Sequence, residues 1–239
     1  MAARNSKNKN STTVKNACRY CQKQFVDDAA LQQHDCEGQK RRREQNNREV
    51  QLGYQAFVTF HQQLYRSSRV KTFEEFADSN YYRAFVNFGQ YCIDIRAIMP
   101  EQYLKWLLQN DKKLDQWCRD SFYDEWLKLY IKKEPVNEAL TRSLQEMESY
   151  AEGNSGLAHW SDYFRYGNAN RICHHITTGR ISPWVLYCSS SGIDFLESAS
   201  PYILDIIFPF IDPNYWTHHL QDHVDDMNWC RGLLKQAGL

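Results

Sequence analysis

Apolar side chains recur along this chain every three or four residues, the period of a helix with one buried face. Val50, Tyr54, Phe57, His61 and Leu64 keep that spacing. They predict one helix from about Lys40 to Tyr65, charged in its first half and amphipathic in its second. Gly53 is its weak point, at a cost of about 1 kcal/mol relative to Ala. Thr72 and Glu75 fit a capping box. Ser79 or Asn80 can cap a helix carrying Tyr82, Phe85, Val86, Phe88 and Tyr91. Pro100 opens the next apolar run of helical period, Asp120 caps another, and Pro135 at a first helical turn precedes a third. Ser182-Pro183, Ser200-Pro201 and Asp212-Pro213 repeat one device, a capping side chain followed by a proline that needs no amide partner in the first turn. Gly179 suits the end of a helix over residues 170–178. Alternation of period two is nearly absent outside residues 17–38, so the body reads as all-α.

Composition supports a packed body: 42% of residues are hydrophobic and 14% aromatic, which excludes disorder of the whole chain. The net charge is zero but unevenly spread. Residues 1–50 hold 11 Lys and Arg against 6 Asp and Glu, and the rest carries the opposite excess. A basic head suggests an anionic partner there. Of eight cysteines, three lie within residues 18–36. The other five sit among apolar and aromatic residues, as buried free thiols do. That is no disulfide framework, and it predicts a reducing, intracellular setting. The start of the chain lacks a signal-peptide core, and no run of 18 apolar residues is available to cross a membrane. Residues 1–16, rich in Asn, Ser and Lys, are expected to be a disordered tail.

Residues 18–34 read CRYCQKQFVDDAALQQH. Thiolate and imidazole at this spacing suit a tetrahedral ion such as zinc. About twenty residues bury too little surface to fold alone, so the ion must supply folding energy. The spacing Cys-x2-Cys-x3-Phe-x5-Leu-x2-His resembles the Cys2His2 zinc-finger family up to its first histidine. The resemblance implies Zn2+ held by Cys18, Cys21 and His34, a ββα fold, and Phe25 and Leu31 as its miniature core. The family's second histidine is missing, since positions 38–40 are Gly-Gln-Lys. Cys36 is the candidate fourth ligand. Because residues i and i+2 diverge on a helix, the helix must end at His34, with Gly38 permitting the chain to turn. The family's base-contacting positions fall on Asp27, Ala30 and Gln33, with no arginine for guanine, so sequence-specific reading of DNA is not expected. In style the whole chain is similar to small proteins of large tailed bacteriophages that pair one aberrant finger with an aromatic helical body. That similarity implies a viral or bacterial-cytoplasm context and no activity.

A basic run follows the finger: Lys40, Arg41, Arg42 and Arg43, with Arg48 further on. It can neutralise phosphates of DNA or RNA without reading sequence, or simply form a solvated helix face interrupted by Glu44 and Glu49. Six of eight histidines lie beyond residue 150, and His219 and His223 are four apart. No HExxH motif, GxSxG elbow or phosphate-binding glycine loop accompanies them, so ordinary packing is the plainer reading. Trp160 through Gly167, followed by Asn168, Asn170 and Arg171, is a further candidate binding surface.

The expected architecture is therefore mainly α: a disordered tail (1–16), a small ββα zinc finger (17–38), and a long basic helix leading into an all-helical body (39–239) with possible lobes at 51–151 and 157–239. The expected function is that of a non-enzymatic, zinc-binding accessory protein docking on nucleic acid through phosphates, without a membrane or an evident small-molecule substrate. A protein-interaction module, favoured by acidic Asp27, Asp28, Asp35 and Glu37, and an enzyme using the histidine-rich C-terminal region are the alternatives.

Overall fold

A computed structural model describes residues 16–65, 69–153 and 159–239. The basic tail and most of the 152–156 loop lie outside them. Among the described residues the regular structure is helical, with no strand. None of the described helices is long and apolar enough to cross a membrane. The chain divides into two compact units, Met1–Gln90 and Tyr91–Leu239.

The N-terminal unit contains α1 (Asp28–Gln32), α2 (Glu37–Arg43), α3 (Arg48–Tyr65), α4 (Phe73–Ala77) and most of α5 (Tyr82–Asp94). The single helix expected over 40–65 is instead two. A 3-10 turn at Glu44–Asn46 ends α2, and Asn47 adopts extended backbone (φ −65°, ψ 140°) before α3 begins. Asn competes for backbone hydrogen bonds and favours such helix starts. The capping box at Thr72 is complete: Glu75 N–H donates to Thr72 Oγ1 at 3.3 Å, and Thr72 N–H donates to Glu75 Oε2 at 2.9 Å. The core is aromatic. Phe57, Phe76 and Phe85 are buried, with ring centroids 5.2 Å apart for Phe57–Phe76 and 5.5 Å for Phe57–Phe85. Gly53 and Gly89 let α3 and α5 cross backbone to backbone. A Cβ on Gly53 would lie 2.8 Å from Phe85 O, and one on Gly89 would strike Glu49 O.

The C-terminal unit is built from α6 (Pro100–Gln109), α7 (Asp120–Tyr130), α8 (Val136–Glu152), the short α9 (Tyr163–Tyr166), α10 (Ala169–Thr177), α11 (Pro183–Cys188), α12 (Ser190–Ser198), α13 (Pro201–Ile211), α14 (Pro213–Asp222) and α15 (Val224–Gln236). The three Ser/Asp-Pro starts all occur, and Ser182, Ser200 and Asp212 each accept an amide of the helix they open. Gly179 follows α10 with φ +75°, where a side chain would be strained. Two aromatic clusters fill the interior. Tyr103, Tyr123 and Trp126 join α6 to α7, and Trp184 packs edge-on to Trp216. One buried ion pair ties helix ends together. Arg142 donates to Glu134 at 2.5 Å and, through Nε, to Gly179 O, while Ser182 donates to Glu134. Four of the five cysteines beyond the finger are buried free thiols as expected, and Cys118 is exposed.

Candidate metal centre

The chain around Cys18 and Cys21 makes a tight knuckle. Cys18 N–H donates to Lys23 O and Gln22 N–H to Cys18 O, both at 2.8 Å. Gln22 closes the turn in the left-handed region at φ +61°. The ββα finger is not what forms. Residues Ala17 and Gln24 make one isolated antiparallel bridge, and no strand extends from it. A two-residue pairing has too few ladder bonds to count as a hairpin sheet. Asp27 then caps α1, its carboxylate accepting Ala30 N–H at 2.7 Å, so a position suggested for base contact is spent on the helix itself.

The expected end of the helix near His34 is present, but the return of Cys36 uses a different device. Helix α1 stops at Gln32, and His34 N–H reaches back to Leu31 O. Cys36 is extended (φ −141°, ψ 162°) and is the residue that opens α2. Two helices thus meet at a corner, with one ligand closing the first and the next ligand starting the second. Gly38 does not make the turn. It lies inside α2, where a Cβ would come within 2.8 Å of Tyr20 Cβ, so its bareness lets the knuckle rest directly on α2.

These segments bring four ligand atoms together. The sulfurs of Cys18, Cys21 and Cys36 and an imidazole nitrogen of His34 all lie within 4.8 Å of one another, a set that can hold a metal ion. Cys18 Sγ is 3.8 Å from Cys36 Sγ, and Cys21 Sγ is 3.1 Å from His34 Nε2. Phe25 covers the imidazole, ring centroids 4.6 Å apart. Cys18 is buried, which opposes ionisation, but the amides of Cys21 and Tyr20 together with the neighbouring thiols draw it below its ordinary value. Cys21 moves the other way. Lys23 N–H favours its thiolate, yet burial and the adjacent Cys18 and Cys36 sulfurs outweigh that amide. Among the described residues no second Cys/His/carboxylate cluster of this kind occurs. The rings of His219 and His223 lie 4.2 Å apart, tilted by 36°, in the C-terminal unit without such partners.

The basic run follows directly from Cys36, and Arg41 and Arg42 within it turn onto their own unit. Arg41 donates to Ala77 O at 2.8 Å and Ser79 O at 3.4 Å, and its guanidinium lies over Tyr82. It thereby satisfies carbonyls left open where α4 ends. Arg42 grips both oxygens of Asp78 at 2.9 Å, donates to Gly38 O, and covers Tyr20 at 4.3 Å. Their side chains are only 20% and 17% exposed. Arg43 pairs with Asp35 at 2.5 Å and Lys40 with Glu44 at 4.0 Å; both cations are well exposed, as is Arg48. Sequence reasoning missed the partners Asp78, Ala77 and Ser79 because they lie 36 to 38 residues away along the chain. Comparison with known protein families, with curated proteins and with solved structures finds no match to this chain.

Proposed function

We propose that this chain is a zinc-dependent, non-enzymatic accessory protein in which a structural zinc ion folds the segment around residues 16–43 into a fixed platform for a protein partner. The donor chemistry supports zinc. Three thiolates and one imidazole are a common structural set, and tetrahedral bonds of about 2.3 Å to sulfur put neighbouring sulfurs about 3.8 Å apart. The Cys18–Cys36 separation is 3.8 Å, while the Cys21–His34 edge is shorter at 3.1 Å. Four protein ligands leave no open position for substrate or water, the arrangement of structural rather than catalytic zinc.

The observation that carries the platform reading is the fate of Arg41 and Arg42. They serve as anchors within the unit and are not held out to solvent. The outer side of α1 is acidic at Asp27 and Asp28, beside Val26 at 95% exposure. Phosphate is repelled by such a surface, and an apolar or basic protein surface is not. The second reading, mostly non-sequence-specific contact with DNA or RNA, retains Lys40, Arg43 and Arg48 as exposed cations.

One experiment separates them. Metal content is measured on the purified chain, and binding to labelled single- and double-stranded DNA and RNA is followed at two salt concentrations. One zinc per chain with no binding at low salt supports the protein-partner reading. Binding that falls steeply with salt and is lost in a Lys40/Arg43/Arg48→Ala variant replaces it with the nucleic-acid reading. Absence of bound zinc after expression in zinc-replete medium refutes both.

A further inference from the structure

A polar cleft of about 630 Å3 lies wholly within the C-terminal unit. That volume falls in the range of small-molecule sites, about 300–1,000 Å3. Its walls come from the last turns of α8, the first turns of α10, and Arg96. Arg96 sits in the left-handed region at φ +50° and faces Glu146, with contacts of 3.1 and 3.4 Å to its two oxygens.

The floor is a saturated hydrogen-bond chain. Burial, together with Arg180 and the neighbouring cations, pushes His175 down to about 3, so it is neutral at ordinary pH. A neutral imidazole has one N–H. The carboxylate of Glu146 can only accept, so Nε2, 3.3 Å away, carries the proton. Nδ1 then accepts from the buried Tyr163 hydroxyl at 2.7 Å. This chain fixes Glu146 from below and leaves His175 and Tyr163 no polar atom for a ligand.

The charge above the floor does not balance. Arg180 NH1 lies 3.7 Å from the same Glu146 carboxylate, its side chain is 7% exposed, and its Nε is buried with no hydrogen-bond partner. Arg171 lines the cleft, is exposed, and has no ion-pair partner among the described residues. Two guanidinium groups, those of Arg96 and Arg171, thus line the cleft against the single carboxylate of Glu146. Arg180 reaches that carboxylate from a separate groove, which it lines together with Asp94, Asp120 and Asp124. An excess of cations in a partly desolvated cleft favours an anion, and guanidinium geometry matches phosphate. Asn168, Asn170 and Ser149 add neutral polar groups around the same space.

We propose that this cleft binds a small phosphorylated metabolite of about mononucleotide size, with Arg171 and Arg96 on its phosphate and Asn170 on its polar body. The test uses the full zinc-loaded chain and titration calorimetry with inorganic phosphate, a set of nucleoside 5′-monophosphates and hexose phosphates, and the unphosphorylated parent nucleosides and sugars. At least one phosphorylated compound is expected to bind tenfold or more tightly than either inorganic phosphate or its parent. Arg171→Ala should weaken that binding by about tenfold to a hundredfold, the loss of one charge-assisted contact, with an unchanged circular dichroism spectrum because Arg171 supports no other group. Arg171→Lys should recover part of it. No binding at millimolar concentration, binding indifferent to Arg171→Ala, or inorganic phosphate binding as tightly as every organic phosphate would each overturn the proposal.

Discussion

Replacing Gly53 by Ala sets helix propensity against packing, and the structure decides the sign. An interior helical glycine costs about 1 kcal/mol relative to Ala, so propensity alone calls the change stabilising. The added methyl would lie 2.8 Å from Phe85 O, 2.9 Å from Phe85 C and 3.0 Å from Val86 Cα. All three are backbone atoms of α5, so no rotamer change relieves them and one helix must move. Overpacking of this kind costs about 1–3 kcal/mol, and rigid backbone puts it at the upper end. The net expectation is a loss of about 1–2 kcal/mol in the N-terminal unit. Gly232, inside α15, is the control. A methyl there meets nothing within 4 Å, so Gly232→Ala should gain about 0.5–1 kcal/mol. The assay is urea denaturation in zinc-saturated buffer, read by far-ultraviolet circular dichroism and by tryptophan fluorescence. All seven tryptophans, from Trp106 to Trp229, lie in the C-terminal unit. Fluorescence therefore follows Gly232→Ala, and hydrogen exchange across α3 and α5 follows Gly53→Ala. A Gly53→Ala variant more stable than its parent would refute the tight crossing of α3 and α5.

Further outcomes follow from the same contacts. Cys36→Ser should weaken zinc and cobalt binding at least tenfold and change the cobalt spectrum from a three-thiolate to a two-thiolate form; an unchanged spectrum would remove Cys36 from the ligand set. Arg42→Ala should cost about 1–2 kcal/mol, since it loses Asp78, Gly38 O and the Tyr20 ring together. A double-mutant cycle with Asp78→Ala should assign about 0.5–1 kcal/mol of that to the exposed half of the pair. His175, held at about 3 when folded, binds its proton more readily when unfolded. Stability should therefore fall as pH drops from about 6 to about 4, by about 1.4 kcal/mol per pH unit. Denaturation midpoints of the parent and His175→Gln across that window check it, and an equal slope in both would contradict the assignment.

Much of the helical order was legible because its signals are local. The Thr72 box, the Ser182, Ser200 and Asp212 caps and the glycine after α10 each depend on residues within four positions, and each stands where the sequence put it. The Cys18, Cys21, His34 and Cys36 cluster was legible from residue type and short spacing within residues 18–36. The failures came where distant contacts rule. The stretch 40–65 read as one helix although its apolar period starts only at Val50, and the chain breaks at Glu44–Asn47, where the all-polar run carries no pattern to mark a boundary. The arginines reach α4 from the α2 side of that break. Gly38 read as a turn because its close neighbour Tyr20 is invisible to any pattern along the chain. Asp120 was expected to cap α7, but Arg119 occupies that position and Asp120 is the first residue inside. Arg96, Glu146 and His175 lie on three separate segments, and no motif links them.

The corner where α1 closes before His34 and Cys36 opens α2 would also make a bound ion a custodian of charge. While α2 is held against the knuckle, Arg41 and Arg42 remain folded into carbonyls, a carboxylate and two aromatic rings. Chelation would release that corner and free both cations to solvent. A metal-stripped sample should then cling to heparin or nucleic acid more strongly than the loaded protein, the reverse of a finger that uses zinc to grip its target. Affinity for polyanions that rises on adding chelator would thus report an unlatched protein, and preparations made with chelators would overstate any nucleic-acid binding by the loaded molecule.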